Sequence, residues 1–91
     1  MRGAVLGLGM IGRHHARLLQ STPEVAFAGA VDPAGDIHSA VSDPALVFSS
    51  VAELLAGGTL DFAIIAVPTE EHVAAVREVT AGGANVLVEK P

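Results

Sequence analysis

Four short runs of apolar residues constrain the fold of this chain more than any other feature of its sequence. They cover residues 4–6, 25–31, 62–67 and 85–88, and residues 46–48 form a weaker fifth run. None of them alternates cleanly between apolar and polar residues. Continuous apolar runs bounded by turn residues are typical of strands that are covered on both faces, as in parallel sheets.

The stretches between the runs carry helical patterns. Residues 11–20 predict a helix that places Ile11, His15, Leu18 and Leu19 near one stripe. Residues 50–56 start with Ser50 and have Glu53 three positions later, which is a capping box. Residues 69–81 predict a third helix, whose candidate cap is Thr69 and whose one side is lined by Val73, Val76 and Thr80.

This alternation predicts one α/β domain over residues 1–91, a doubly wound parallel sheet with helices on both faces and a strand order near 3-2-1-4-5. Residues 33–44 are the least regular part, with room for about one helical turn.

Composition excludes several classes of function. The chain is 51% hydrophobic and 16% charged, which argues for a globular domain. Five Lys and Arg stand against ten Asp and Glu, and no cation occurs between Arg17 and Arg77. We therefore expect neither nucleic-acid nor membrane binding. Cysteine is absent, which fits a cytoplasmic protein, and no metal-ligand spacing stands out.

A glycine-rich segment joins the first predicted strand to the first predicted helix. It reads Gly7-Leu8-Gly9-Met10-Ile11-Gly12, the G-x-G-x-x-G pattern of dinucleotide-binding loops. Gly7 would permit the tight turn, Gly9 the approach of a pyrophosphate, and Gly12 close packing of helix and strand. Met10 and Ile11 lie in the same loop and are also predicted to contact the cofactor, whose phosphates the helix N-terminus would hold.

Asp32 lies 20 residues after Gly12 and ends the second predicted strand. A carboxylate at this position accepts hydrogen bonds from a ribose 2′-hydroxyl and repels a 2′-phosphate. We therefore predict NAD rather than NADP, with Arg13 as the one nearby cation that a 2′-phosphate would use. The alternative is that Asp32, before Pro33, is an ordinary turn former.

Two further groups of residues follow predicted strands. Pro68 and Thr69 follow the third strand, and His72 falls in the first turn of the next helix. Glu89 and Lys90 follow the last strand. The carboxyl ends of parallel strands form the binding crevice, where an ammonium group polarises a hydroxyl or carbonyl. The alternatives are an exposed histidine and a solvated terminal lysine.

The segments GLGMIGRHHARLL, VDP, AVPTEEH and NVLVEKP together resemble the N-terminal domain of the Gfo/Idh/MocA oxidoreductases. The resemblance implies an NAD(P)-binding Rossmann domain of a dehydrogenase that acts on a sugar, nucleotide-sugar or polyol hydroxyl. It implies that Lys90 is the catalytic lysine, that Asp32 binds the ribose, and that Pro68, Thr69, His72 and Glu89 line the cofactor crevice. It also suggests a cis bond before Pro91.

The resemblance further implies a second, α+β domain with the substrate contacts and the homo-oligomer interface. We therefore expect residues 1–91 to be part of a longer two-domain protein and to be inactive alone. Two alternatives remain open. One is a non-catalytic dinucleotide-binding or sensor module. The other is a different Rossmann reductase, such as a dihydrodipicolinate reductase.

Overall fold

The computed structural model describes residues 1–67 and 72–88, without the side chains of His72 and Val88. Within these residues the strands are β1 (Arg2–Leu6), β2 (Ala26–Val31), β3 (Val47–Phe48), β4 (Phe62–Ile65) and β5 (Asn85–Val88). The helices are α1 (Met10–Gln20), α2 (Val51–Leu55) and α3 (His72–Ala81), and a 3-10 turn, Pro44–Leu46, precedes β3. None of these helices is long and apolar enough to cross a bilayer.

The sheet has the order β3-β2-β1-β4-β5, and all of its strand pairs are parallel. The predicted α/β fold and strand order are therefore confirmed. Strands β2 and β3 extend the sheet on one side of β1, and strands β4 and β5 extend it on the other side. The strand order therefore reverses between β1 and β4. Such a switch point opens a crevice at the carboxyl ends of the strands.

Both faces of the sheet are covered, as the unbroken apolar runs predict. Helices α2 and α3 cover one face with a cluster whose largest fully buried side chains are Leu6, Leu54, Ile65 and Val79. Helix α1 covers the other face with Ala16 and Leu19, which pack with Val5 and Ile64. The central strands are thereby held between two apolar layers, and their carboxyl ends stay at one edge.

The stripes that we predicted for two helices match the side that faces the sheet only in part. In α1 the buried residues are Gly12, Ala16 and Leu19, whereas Leu18 is 47% exposed. In α3 the buried residues are Ala75 and Val79, whereas the predicted Val73 is 62% exposed. Three of these five inward residues, Gly12, Ala16 and Ala75, are small, which lets the helices lie close to the sheet.

Helix α2 begins as its capping box predicts. The Glu53 N–H donates to Ser50 Oγ at 3.2 Å, and the Ser49 N–H donates to Glu53 Oε1 at 3.3 Å. The Ser49 hydroxyl donates to the same carboxylate. The Glu53 carboxylate accepts these hydrogen bonds from Ser49, and they lower the pKa of Glu53 from its ordinary value of 4.5.

The connection from β2 to β3 contains no α-helix within the described residues. Residues 33–43 contain turns and a bend instead, and the helical turn for which we predicted room within residues 33–44 is not formed there. The 3-10 turn, Pro44–Leu46, begins only at the last residue of that stretch. Ala40 and Val41, 4% and 6% exposed, pack against α1 and the sheet where a second helix would lie. This stretch begins directly after Asp32 and therefore borders the carboxyl edge.

Candidate functional site

The glycine loop after β1 has no room for side chains at its two ends. Gly7 has a φ of 96°, and a Cβ on it would lie 2.6 Å from the carbonyl oxygen of Ala66. A Cβ on Gly12 would lie 1.8 Å from the carbonyl oxygen of Gly7. These contacts are with backbone atoms, which cannot rotate away. The steric requirements for a tight turn at Gly7 and for close helix packing at Gly12 are therefore met.

The middle of the loop is open. Gly9 is the N-cap of α1 with a φ of −68°, and apart from Gly9 itself and its two chain neighbours no described residue has an atom within 4 Å of a Cβ built on it. No side chain caps the helix, and its first turn contains no acidic residue. Met10 is 77% exposed, and Ile11 is half-buried. The first N–H groups of a helix have no partners within it, so this end offers hydrogen-bond donors and a positive dipole to an anion.

Asp32 joins the glycine loop to the turn that follows β2. The Leu8 N–H donates to Asp32 Oδ2 at 2.9 Å, and the Ala34 N–H donates to Asp32 Oδ1 at 2.9 Å. The Gly35 N–H donates to the Asp32 carbonyl oxygen, also at 2.9 Å. Asp32 is thus the turn former of the alternative interpretation, and its carboxylate also lies against the glycine loop. A carboxylate accepts about four hydrogen bonds, so each oxygen retains capacity for a ligand hydroxyl.

Backbone hydrogen bonds fix the loop from both sides. The Gly7 N–H donates to the Val31 carbonyl oxygen at 2.7 Å, which ties the loop to the end of β2. The Ala66 N–H donates to the Leu6 carbonyl oxygen at 2.8 Å, which ties the end of β1 to the residue after β4. The crevice at the switch point is therefore framed by three strand ends.

The remaining predicted site residues are only partly within the structure. Pro68, Thr69, Glu89 and Lys90 lie outside the described residues, as does the bond before Pro91. His72 is the first residue of α3, and its side chain is outside the description. Their predicted roles therefore stay predictions.

Sequence reasoning missed two side chains, Asp36 and Gln20, that hold the stretch of chain after Asp32. The Ala40 N–H donates to Asp36 Oδ1 and the Val41 N–H donates to Asp36 Oδ2, both at 2.8 Å. Gln20 Nε2 donates to the Ala40 carbonyl oxygen at 2.7 Å, and the Ser42 N–H donates to Gln20 Oε1 at 2.9 Å. An aspartate among turn residues is a weak signal for such capping, and nothing in the sequence pairs Gln20 with a segment 20 residues away.

The histidines of α1 form no metal site that the structure describes. The rings of His14 and His15 are in edge-to-face contact, with centroids 6.0 Å apart. The described residues contain no group of three or more His, Asp or Glu side chains that would hold a metal ion.

Comparison with known proteins supplies a second line of argument. A family profile described as an oxidoreductase family with an NAD-binding Rossmann fold matches residues 1–91. The chain is similar to the rhizopine catabolism protein MocA of Rhizobium meliloti, with 28% identity over 91 residues. That match covers 99% of this chain and 29% of the relative.

Solved structures show the same relation. UDP-N-acetylglucosamine 3-dehydrogenase GnnA from Acidithiobacillus ferrooxidans is 32% identical, with a TM-score of 0.72 over 100% of this chain and 30% of that chain. Scyllo-inositol dehydrogenase from Lactobacillus casei, solved with NAD(H) and scyllo-inositol, is 21% identical, with a TM-score of 0.81. It shares the fold, and 28% of its chain is covered. The chain thus spans less than a third of the length of these relatives.

Proposed function

The chain belongs to the oxidoreductase family with an NAD-binding Rossmann fold, and on that premise we propose that it is the cofactor-binding domain of a sugar or polyol dehydrogenase. The whole enzyme would transfer hydride between the nicotinamide and a hydroxyl group of a sugar, nucleotide-sugar or polyol. The observation that carries the proposal is the hydrogen bond from the Leu8 N–H to Asp32 Oδ2. It brings the Asp32 carboxylate, at the end of β2, next to an open helix N-terminus.

Different groups of the chain would bind different parts of the cofactor. The uncapped N–H groups at the start of α1 would bind the pyrophosphate, and the open space at Gly9 would let it approach the backbone. The free lone pairs of the Asp32 carboxylate would accept hydrogen bonds from the hydroxyls of the adenosine ribose. The nicotinamide, when bound, supplies the site that accepts or donates hydride.

Charge at the ribose position supports NAD over NADP. The Asp32 carboxylate already has one backbone N–H on each oxygen, so it is held in place as an acceptor. A 2′-phosphate there would meet a fixed negative charge, and residues 33–35 that follow are Pro, Ala and Gly. Arg13, half-buried on α1, is the cation that would have to compensate for this repulsion.

The proposed chemistry rests on Lys90, which follows the end of β5 by two residues. Its ammonium group would polarise the substrate hydroxyl and exchange the proton that balances hydride transfer. Pro68, Thr69, His72 and Glu89 are proposed to line the cofactor crevice near it. We place the substrate contacts and a homo-oligomer interface in a second domain of the whole protein.

Titration calorimetry of the chain with NAD tests the binding half of the proposal. We expect heat of binding from the wild type, a strong loss of affinity in Asp32→Ala, and weaker binding of NADP than of NAD. Asp61→Ala is the matched control, because Asp61 Oδ2 accepts the Arg2 N–H at 2.7 Å at the opposite edge of the sheet. Both variants lose one carboxylate that is bonded to the backbone, but only Asp32 would face the cofactor.

Absence of heat from the folded wild type would overturn the proposal. Equal losses in Asp32→Ala and Asp61→Ala would remove the ribose assignment, and tighter binding of NADP would reverse the cofactor preference. In the whole enzyme, Lys90→Ala should lower turnover by orders of magnitude and leave NAD affinity nearly unchanged. Binding of NAD without any hydride transfer by the whole protein would instead favour a non-catalytic sensor module.

A further inference from the structure

A polar cleft lies between the C-terminal half of α1 and the connection from β2 to β3. Its volume is about 400 Å³, and pockets that hold small molecules measure about 300–1,000 Å³. Its lining residues are Arg17, Gln20, Ser21, Ser39, Ala40 and Ser42. Arg17 follows the N-cap Gly9 by eight residues, which places it about 12 Å along the helix from the proposed pyrophosphate position. The cleft is therefore separate from the proposed cofactor site.

Hydrogen bonds from Gln20 fix the loop side of the cleft. Gln20 Nε2 donates to the carbonyl oxygens of Ala16 at 2.9 Å and of Ala40 at 2.7 Å. The Ser42 N–H donates to Gln20 Oε1 at 2.9 Å. The cleft thus has its shape before any ligand binds, which lowers the entropy cost of binding.

The hydrogen-bond donors of the cleft are largely unused. The Arg17 side chain is exposed, and within the described residues its one hydrogen bond runs from Nη2 to the His38 carbonyl oxygen at 3.5 Å. A guanidinium group has five N–H donors, so four of them remain. The hydroxyl groups of Ser39 and Ser42 have no partner in the described part of the chain, and no described acidic side chain pairs with Arg17. The cleft therefore combines an unpaired positive charge with two free hydroxyl groups.

Negative charge near the cleft is already partly compensated. The carbonyl groups at the end of a helix oppose an anion, but the Ser21 hydroxyl donates to the Arg17 carbonyl oxygen at 3.0 Å. Asp36 and Asp43 flank the loop side in sequence without being lining residues. The carboxylates of both accept backbone N–H groups, which offset part of their charge. Arg17 is thus the dominant charge inside the cleft.

We propose that this cleft binds a phosphate group. On an ester, a phosphate group carries a charge of about −1.5 to −2 at pH 7 and has three strong acceptor oxygens. A guanidinium group binds two such oxygens with parallel N–H donors, and the hydroxyl groups of Ser39 and Ser42 would bind the remaining acceptor positions. A carboxylate offers one charge and two oxygens, so it matches fewer of these donors. The inference goes beyond the proposed function, because none of these groups belongs to the glycine loop or to Asp32.

NMR titrations of backbone amide shifts at constant ionic strength test this inference, with inorganic phosphate and glycerol 3-phosphate as probes. We expect saturable shifts at the amides of Ser39, Ala40 and Ser42. Binding should weaken at least about tenfold in Arg17→Gln, which corresponds to about 1.4 kcal/mol, while the melting temperature stays that of the wild type. Equal affinity for both probes would mean that the phosphate group alone is recognised. Tighter binding of the ester would mean that its carbon chain also contacts the cleft.

Arg77→Gln is the matched control, because Arg77 is also an exposed arginine on a helix, α3, which covers the other face of the sheet. It should bind phosphate as the wild type does. The phosphate assignment would be wrong if Arg77→Gln and Arg17→Gln lost affinity equally, or if acetate bound as tightly as phosphate. Shifts confined to Gly9 and Met10 would place the anion at the start of α1, which would overturn the cleft and leave the proposed function standing. Phosphate binding in the cleft by a wild type that does not bind NAD would remove the proposed function alone.

Discussion

Replacing Gly9 and Gly12 separately by alanine should have two different effects. Gly9→Ala should impair ligand binding, and Gly12→Ala should lower the stability of the fold. The two glycines lie three residues apart in the same loop and helix, and each variant adds one methyl group. At Gly12 the methyl group meets backbone atoms, whereas at Gly9 it enters open space. The two variants therefore test whether ligand binding needs the open space at Gly9.

The expected loss of stability in Gly12→Ala follows from its contacts. The new Cβ would start 1.8 Å from the Gly7 carbonyl oxygen, and ordinary contact begins at 3.4 Å, so α1 must move away by about 1.5 Å. Overpacking of this kind costs about 1–3 kcal/mol, against a gain of at most about 1 kcal/mol in helix propensity. Because the clash is with backbone and helix α1 must move as a unit, we take the upper end of this cost and expect a net loss of about 2 kcal/mol. That is a large share of the roughly 5–14 kcal/mol available to a domain of this length.

Gly9→Ala should leave stability almost unchanged. Its φ of −68° is accessible to alanine, so no backbone strain arises. Alanine is a poorer N-cap than glycine, which lowers stability. Alanine also restricts the unfolded chain more than glycine does, which raises stability by a comparable amount, about 0.5 kcal/mol. The methyl group would project into the space proposed for the pyrophosphate. We therefore expect NAD affinity to fall at least about tenfold, equivalent to about 1.4 kcal/mol.

Urea denaturation followed by circular dichroism measures the stability of both variants, and calorimetric titration with NAD measures affinity. The expected pattern is a lower urea midpoint for Gly12→Ala only and normal folding with impaired binding for Gly9→Ala. Unchanged NAD affinity in Gly9→Ala would refute the proposed pyrophosphate position. Wild-type stability in Gly12→Ala would refute the packing argument.

Three further variants test the hydrogen bonds that surround the site. Asp32→Ala should lower the free energy of unfolding by about 2 kcal/mol in urea titrations, because two backbone N–H groups lose a charged acceptor. Asp36→Ala should cost a similar amount and speed hydrogen exchange at the two amides that it caps. Glu53→Gln tests the pH dependence of the α2 cap: since folding lowers the Glu53 pKa from 4.5, the stabilisation is present above pH 4.5. It is lost as the pH falls through the lowered value, so wild type and Glu53→Gln should then converge in stability.

The parts of the fold that local chemistry determines could be predicted from the sequence. Apolar runs that never alternate predicted strands covered on both faces, and their order along the chain predicted the sheet. The capping box of Ser50 and Glu53 placed the start of α2. The spacing of Gly7, Gly9 and Gly12 indicated which positions leave no room for a side chain and which position stays open.

Contacts between distant segments could not be predicted in this way. The inward side of α1 was misjudged because large apolar residues such as Leu18 weigh most in a periodicity argument, whereas Ala16 actually faces the sheet. The loop after Asp32 is held by Gln20 from another element, and no local pattern encodes that pairing. The sequence left two interpretations of Asp32 open, a turn former and a ribose ligand. The structure shows the turn hydrogen bond together with a contact to Leu8 of the glycine loop, and the ribose contact stays a proposal.

The hydrogen bond between the Gly7 N–H and the Val31 carbonyl oxygen, at 2.7 Å, has a kinetic consequence. Because this bond and the bond from the Ala66 N–H to the Leu6 carbonyl oxygen fix the glycine loop through the protein's own backbone, we expect the loop to keep its shape when a dinucleotide arrives. Association should then follow a single exponential in stopped-flow traces, with a rate that rises linearly with dinucleotide concentration. Variants around the crevice should differ mainly in how long the complex lives, rather than in how fast it forms.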